Sequence, residues 1–187
     1  MAHPVIQLAA IAIGPDGREL EVFARRIAFD EARADPQALK LNHYDRDLWQ
    51  REAVPEPVVV TDFAAFLKRH SSVGLVSKRT GNPYKVARIA GHNTAFDIDR
   101  VKAMFDRYRA FLAVDFRTAL DTRYGAIWFF EMHPELEPPK DYKLTTLCEH
   151  FGIATEGAHD ALFDVRLSIA LAREITKRWQ APRSEVA

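Results

Sequence analysis

Gly91-His92-Asn93-Thr94-Ala95-Phe96-Asp97 is the stretch from which the rest of the chain can be read. It follows a short apolar run, Val86 to Ala90, and opens a helical pattern from about Ala95 to Tyr108, so it marks a strand-to-helix junction. At ~100° per residue, Asp97 aligns with Val101, Met104 and Tyr108 and away from Arg100 and Arg107. That alignment predicts a carboxylate on an inward stripe. Two readings are open: a helix cap, with Thr94 as N-cap and Asp97 at N3 near the positive end of the helix dipole, or a metal ligand.

A second junction is His159-Asp160-Ala161-Leu162-Phe163-Asp164, at the start of a last helix from about Asp160 to Trp179. Leu162, Val165, Ile169, Ala172 and Trp179 share one predicted face, with Arg166, Arg173 and Lys177 opposite. Asp164 falls with Leu171 and Ile175, so it too borders the apolar side. A carboxylate there needs a cation, either an arginine or a metal ion.

Working outward, Val5 to Ile13 is apolar apart from Gln7, as in a strand covered on both faces. The turn Gly14-Pro15-Asp16-Gly17 then predicts an antiparallel hairpin over residues 5–29. Residues 35–57, with Pro36, Pro55 and Pro57, read as loop with one short helix, and Asp62 to His70 as a helix. Residues 71–85 read as a polar, basic stretch. A strand and a helix are expected within 112–132, and Leu144 to Phe151 reads as a helix stopped by Gly152.

Composition narrows the function classes. The chain has 187 residues, 48% hydrophobic and 28% charged, which excludes a disordered or collagen-like protein. Lys plus Arg and Asp plus Glu are both 26, so a polyanion must be met by a local patch. The single Cys148 excludes a disulfide framework and a multi-cysteine zinc site. No run approaches the ~20 apolar residues of a membrane span, and Met-Ala-His-Pro is no secretory signal, so a cytoplasmic protein without a membrane partner is expected. Neither a phosphate-binding G-x-x-x-x-G-K-[ST] loop nor a G-x-G-x-x-G turn occurs. His3, His43, His70, His133 and His150 have no partners at ligand spacing.

In order, the chain shows a strand, H-N-x-x-F-D, Asp121-Thr122, the run Tyr142-Lys143-Leu144-Thr145-Thr146-Leu147-Cys148-Glu149-His150-Phe151-Gly152-Ile153, and H-x-x-x-x-D. This order resembles the DEDDh 3′–5′ exonucleases, which include proofreading subunits and ribonuclease T. The resemblance implies an α/β, ribonuclease-H-like mixed sheet flanked by helices, forming one domain over residues 1–180 with a flexible tail at 181–187. It also implies two hard cations, Mg²⁺ or Mn²⁺, with Asp97 and Asp164 as ligands facing each other across a cleft. His159 would be the base that takes a proton from water, and Asn93 a nucleic-acid contact.

The family's first motif, an Asp-x-Glu on a central strand, has no counterpart before Val5. A vacant strand position is therefore expected between Val5–Ile13 and Val86–Ala90, and truncation is the preferred explanation. Residues 71–88 are expected to form a mobile loop beside the cleft, with Lys78, Arg79, Lys85 and Arg88 on phosphates and Tyr84 stacked on a base. The implied partners are single-stranded DNA or RNA 3′ ends, and a polymerase or a second copy of the chain. The alternative function is a catalytically inactive nucleic-acid-binding or polymerase-associated module of the same fold.

Overall fold

The computed structural model describes residues 4–157 and 160–180. The expected tail, 181–187, lies outside the described residues. The chain divides into a larger unit, Met1–Ile89 with Ala95–Ala119, and a smaller one, Ala90–Thr94 with Leu120–Ala187. Within the described residues no helix is long and apolar enough to cross a membrane.

The larger unit opens with the expected hairpin: β1 (Gln7–Ile13) pairs antiparallel with β2 (Glu19–Arg26), placing Leu8 opposite Arg25 and Ala10 opposite Phe23. The Ile27 N–H donates to the Ile6 carbonyl at 2.8 Å. In an antiparallel ladder bonded pairs alternate, so Leu8, Ala10 and Ala12 point their backbone groups at β2, whereas Ala9 and Ile11 point theirs the other way. β1 has no second ladder neighbour among the described residues. Of β1, only Ala12 is fully buried, so the covering expected on both faces is only partial.

Residues 35–57 are more ordered than their prolines suggested. Three aspartates, Asp30, Asp35 and Asp45, each accept a backbone amide and start a short helical piece: a 3-10 turn at Glu31–Arg33, α1 (Pro36–Leu41) and α2 (Arg46–Glu52). α3 runs Glu56–Arg69, one turn and more ahead of the expected start at Asp62. Pro57 sits in its first turn, where a missing N–H costs nothing. The helix buries Val59, Val60, Phe63, Phe66 and Leu67, and Phe63 and Phe66 lie 5.0 and 5.6 Å from the Phe23 ring.

The largest correction concerns residues 71–88, which are not a loop. β3 (Val73–Val76) and β4 (Pro83–Gly91) form an antiparallel hairpin with Val73 opposite Val86 and Val76 opposite Pro83. Its turn is closed by Ser77 N–H to Asn82 O at 3.0 Å and Gly81 N–H to Ser77 O at 2.8 Å, with Gly81 in the left-handed region that only glycine adopts freely. The polar composition hid the alternation of half-buried Val73 and Leu75 with exposed Gly74 and Val76. α4 (Thr94–Arg107) follows β4, and β5 (Val114–Asp121) then joins on the other side of β4, giving the sheet order β3-β4-β5.

Val86, Ala87, Met104, Phe105 and Val114 complete the core of the larger unit. The result is an α/β architecture with a mixed sheet flanked by helices. β1 and β4 belong to different sheets and make no ladder with each other, and β3 covers its edge of β4 only as far as Val86.

In the smaller unit α5 (Thr122–Met132) and α6 (Leu144–His150) pack on α7 (Ala161–Gln180). The strand and helix expected within 112–132 are β5 followed directly by α5. Gly152, at φ 71°, ends α6 as expected. On α7 the fully buried residues are Leu167, Leu171 and Ile175, the stripe that Asp164 heads. The face expected to be innermost is only half-buried, and Trp179 is 45% exposed. Phe129, Leu147, Leu171 and Cys148 are completely buried, and Cys148 Sγ lies 4.0 Å from the Leu167 carbonyl. Burial is the main cause that pushes the Cys148 thiol up to about 11, with Asp164 and Glu149 adding to it.

Candidate active site

The H-N-x-x-F-D junction is held by groups from β5, α5 and the segment before α6. Gly91 ends β4, and Asn93 turns the chain with φ 58°, the left-handed region that asparagine tolerates better than most residues. α4 then starts at Thr94. The expectation that Thr94 caps this helix with its own side chain is corrected. Its hydroxyl donates to Asp121 at 3.1 Å, and its amide donates to the same carboxylate at 2.8 Å.

Asp121 also accepts the amides of Asn93 at 3.0 Å and of Arg123 at 2.9 Å, and so caps the starts of both α4 and α5. Burial alone would raise the Asp121 carboxyl, but the bonds from Asn93, Thr94 and Arg123 outweigh it and hold the group below its ordinary value.

His92 ties three segments together. Its Nε2 lies 3.1 Å from the Tyr142 carbonyl, which can only accept, so Nε2 carries the proton. Its Nδ1 lies 2.9 Å from the Thr122 hydroxyl, which is also 3.2 Å from the Gly91 carbonyl. One hydroxyl proton cannot serve both. In the neutral ring it goes to Nδ1; in the protonated ring Nδ1 donates and the hydroxyl turns to Gly91. Burial is the main cause holding His92 below its ordinary value, against the opposing Tyr142 bond.

Asp97 is in the first turn of α4, as expected, but it is exposed rather than directed inward, while Met104 on the same predicted stripe is fully buried. Asp164 is half-buried in the first turn of α7. His159 lies outside the described residues. Among the described residues, no group of three His, Cys, Asp or Glu side chains comes together to hold a metal ion.

Asn93 is exposed at its turn. Lys78 and Arg79 lie in the β3–β4 turn, while Tyr84, Lys85 and Arg88 lie on β4; all five are exposed. The roles of Asp121, Thr122 and Tyr142 were not readable beforehand. An aspartate ending a strand just before a helix signals an N-cap for that helix, but nothing in the spacing tells that it also caps one starting 27 residues earlier.

No protein-family model and no curated protein sequence matches the chain. Solved structures do match. Exonuclease I aligns over 93% of this chain with a TM-score of 0.66 and 18% identity. E. coli exonuclease I bound to a dT13 oligonucleotide aligns over 92% with a TM-score of 0.69 and 17% identity, and the complex with a dA16 oligonucleotide over 93% with 0.66 and 16%. The chain spans 37–39% of the length of these structures. The likeness is one of fold: the chain has the ribonuclease-H-like fold of exonuclease I.

Proposed function

We propose that this chain is the nuclease part of a metal-dependent 3′–5′ exonuclease that releases 5′-mononucleotides from single-stranded DNA or RNA 3′ ends. The observation that carries the reading is the coincidence of the exonuclease I fold with the H-N-x-x-F-D junction at the end of β4. In this reading Asp97 and Asp164 supply carboxylates to Mg²⁺ or Mn²⁺, whose chemistry is to activate water and stabilise a leaving oxygen. His159 takes the proton from water. Asn93 contacts the nucleic acid, and the cap on α4 holds Asn93 and the start of the helix that bears Asp97. A polymerase or a second copy of the chain remains the proposed protein partner.

The test is release of 5′-mononucleotides from a labelled single strand with and without Mg²⁺ or Mn²⁺. It should be run on this chain and on a version extended by any in-frame upstream codons. Asp97→Asn, Asp164→Asn and His159→Ala should each abolish hydrolysis. Cation-independent release, or release untouched by all three substitutions, would sink the reading.

A further inference from the structure

The charge balance of the whole chain hides a local asymmetry in the larger unit. From Phe63 to Phe96 there is no acidic residue, yet Lys68, Arg69, Lys78, Arg79, Lys85 and Arg88 fall there. Arg69 pairs with Glu21, and elsewhere in the unit arginines also find carboxylates: Arg25 with Asp62, Arg46 with Glu31 and Arg107 with Glu56. Lys78, Arg79, Lys85 and Arg88 are exposed on the β3–β4 hairpin and meet no acidic partner among the described residues. Uncompensated cations gathered on one hairpin create a local positive potential in a protein of zero net charge.

The same hairpin carries an exposed aromatic contact. The Tyr84 ring on β4 lies 6.2 Å from that of Phe111, in the segment between α4 and β5, at an interplanar angle of 68°. Tyr84 is 38% exposed and Phe111 is 66% exposed. The edge-to-face contact orients both rings without covering them. Exposed aromatic surface on the hairpin that carries unpaired cations suits a ligand with flat apolar faces joined by a polyanionic backbone. A single nucleic-acid strand has both features, whereas the bases of a duplex keep their faces stacked on one another.

We propose that Tyr84 and Phe111 form a stacking platform for the bases of a single strand, with Arg88, which shares the Tyr84 face of β4, and the turn residues Lys78 and Arg79 meeting its phosphates. The proposal takes only the class of ligand from the exonuclease reading and requires no hydrolysis.

The experiment is fluorescence anisotropy of a labelled oligothymidylate, in EDTA so that no cation-dependent cleavage intervenes, across a salt series. Because Phe111 is so exposed, Phe111→Ala should leave far-UV circular dichroism unchanged while weakening binding about tenfold to a hundredfold. Tyr84→Ala should do the same, and Tyr84→Phe, which keeps the ring, should bind like the natural protein. Neutralising Lys78, Arg79 and Arg88 together should reduce the slope of log affinity against log salt by about 2, and Lys85→Gln alone should leave it unchanged. Unchanged affinity in both alanine variants, an unchanged salt slope in the triple variant, equal binding of duplex, or no binding by the natural protein would each overturn the platform. Cation-dependent hydrolysis, assayed separately, decides the catalytic reading whichever way the binding falls.

Discussion

The carboxylate of Asp121, at the end of β5, receives both the amide and the hydroxyl of Thr94, the first residue of α4. A helix is thus capped by the strand that follows it in the chain. Asp121→Ala would strip partners from the amides of Asn93, Thr94 and Arg123, at a cost of about 2–4 kcal/mol. Asp121→Asn keeps an acceptor oxygen and should recover about half of that loss. Urea denaturation measures both. An alanine variant as stable as the natural protein would show that the cap contributes nothing.

Acid should act on this junction through His92. A group whose folded pKa is depressed takes up its proton more readily in the unfolded chain. Its contribution is therefore complete above 6.5, the ordinary value, and is lost as pH falls from there through the lower folded value. Asp121 has the same sign, with its contribution complete above its ordinary 3.8 and lost in stronger acid. The urea midpoint of the natural protein should fall between about pH 7 and about pH 5 more steeply than that of His92→Gln. Parallel curves would mean that His92 titrates alike in both states.

Each unit has its own aromatic centre. Phe105 in the larger unit and Phe129 in the smaller one are both completely buried. Truncation of either to alanine should cost about 3–5 kcal/mol, as measured by thermal or urea denaturation. A loss below about 1 kcal/mol would indicate a core loose enough to collapse around the missing ring.

The ladder phase of β1 makes a prediction residue by residue. The amides of Leu8, Ala10 and Ala12, bonded to β2, should exchange slowly with deuterium, and those of Ala9 and Ile11 quickly. Added chain or a partner that occupies this edge should slow Ala9 and Ile11 selectively. Slow exchange at these two positions in the chain alone would mean that the edge is already paired.

Much of the fold is legible because the signals are local. The Asp16-Gly17 turn, the apolar spacing of Phe63, Phe66 and Leu67, and Gly152 after α6 each depend on a few neighbouring residues. The β3–β4 hairpin was missed because its strand signal is four residues long and its turn is basic. Asp97 was expected inward from periodicity alone, yet it lies in the first turn of α4 and is exposed. On α7 two apolar stripes compete, and only the packing of α5 and α6 selects the one with Leu167, Leu171 and Ile175. The Asp121 cap joins residues whose partnership depends on where the chain returns, which no local pattern records.

Cys148 gives the smaller unit its own clock. A thiol that is completely buried and pushed up to about 11 presents almost no thiolate to a reagent at neutral pH. Alkylation must wait for the helices around it to part. With a fast-reacting maleimide in excess, the labelling rate of this one sulfur reports how often that core opens, and its dependence on urea separates local breathing from global unfolding. Because the chain has no other cysteine, the stability of one unit can be followed by mass without a single engineered probe.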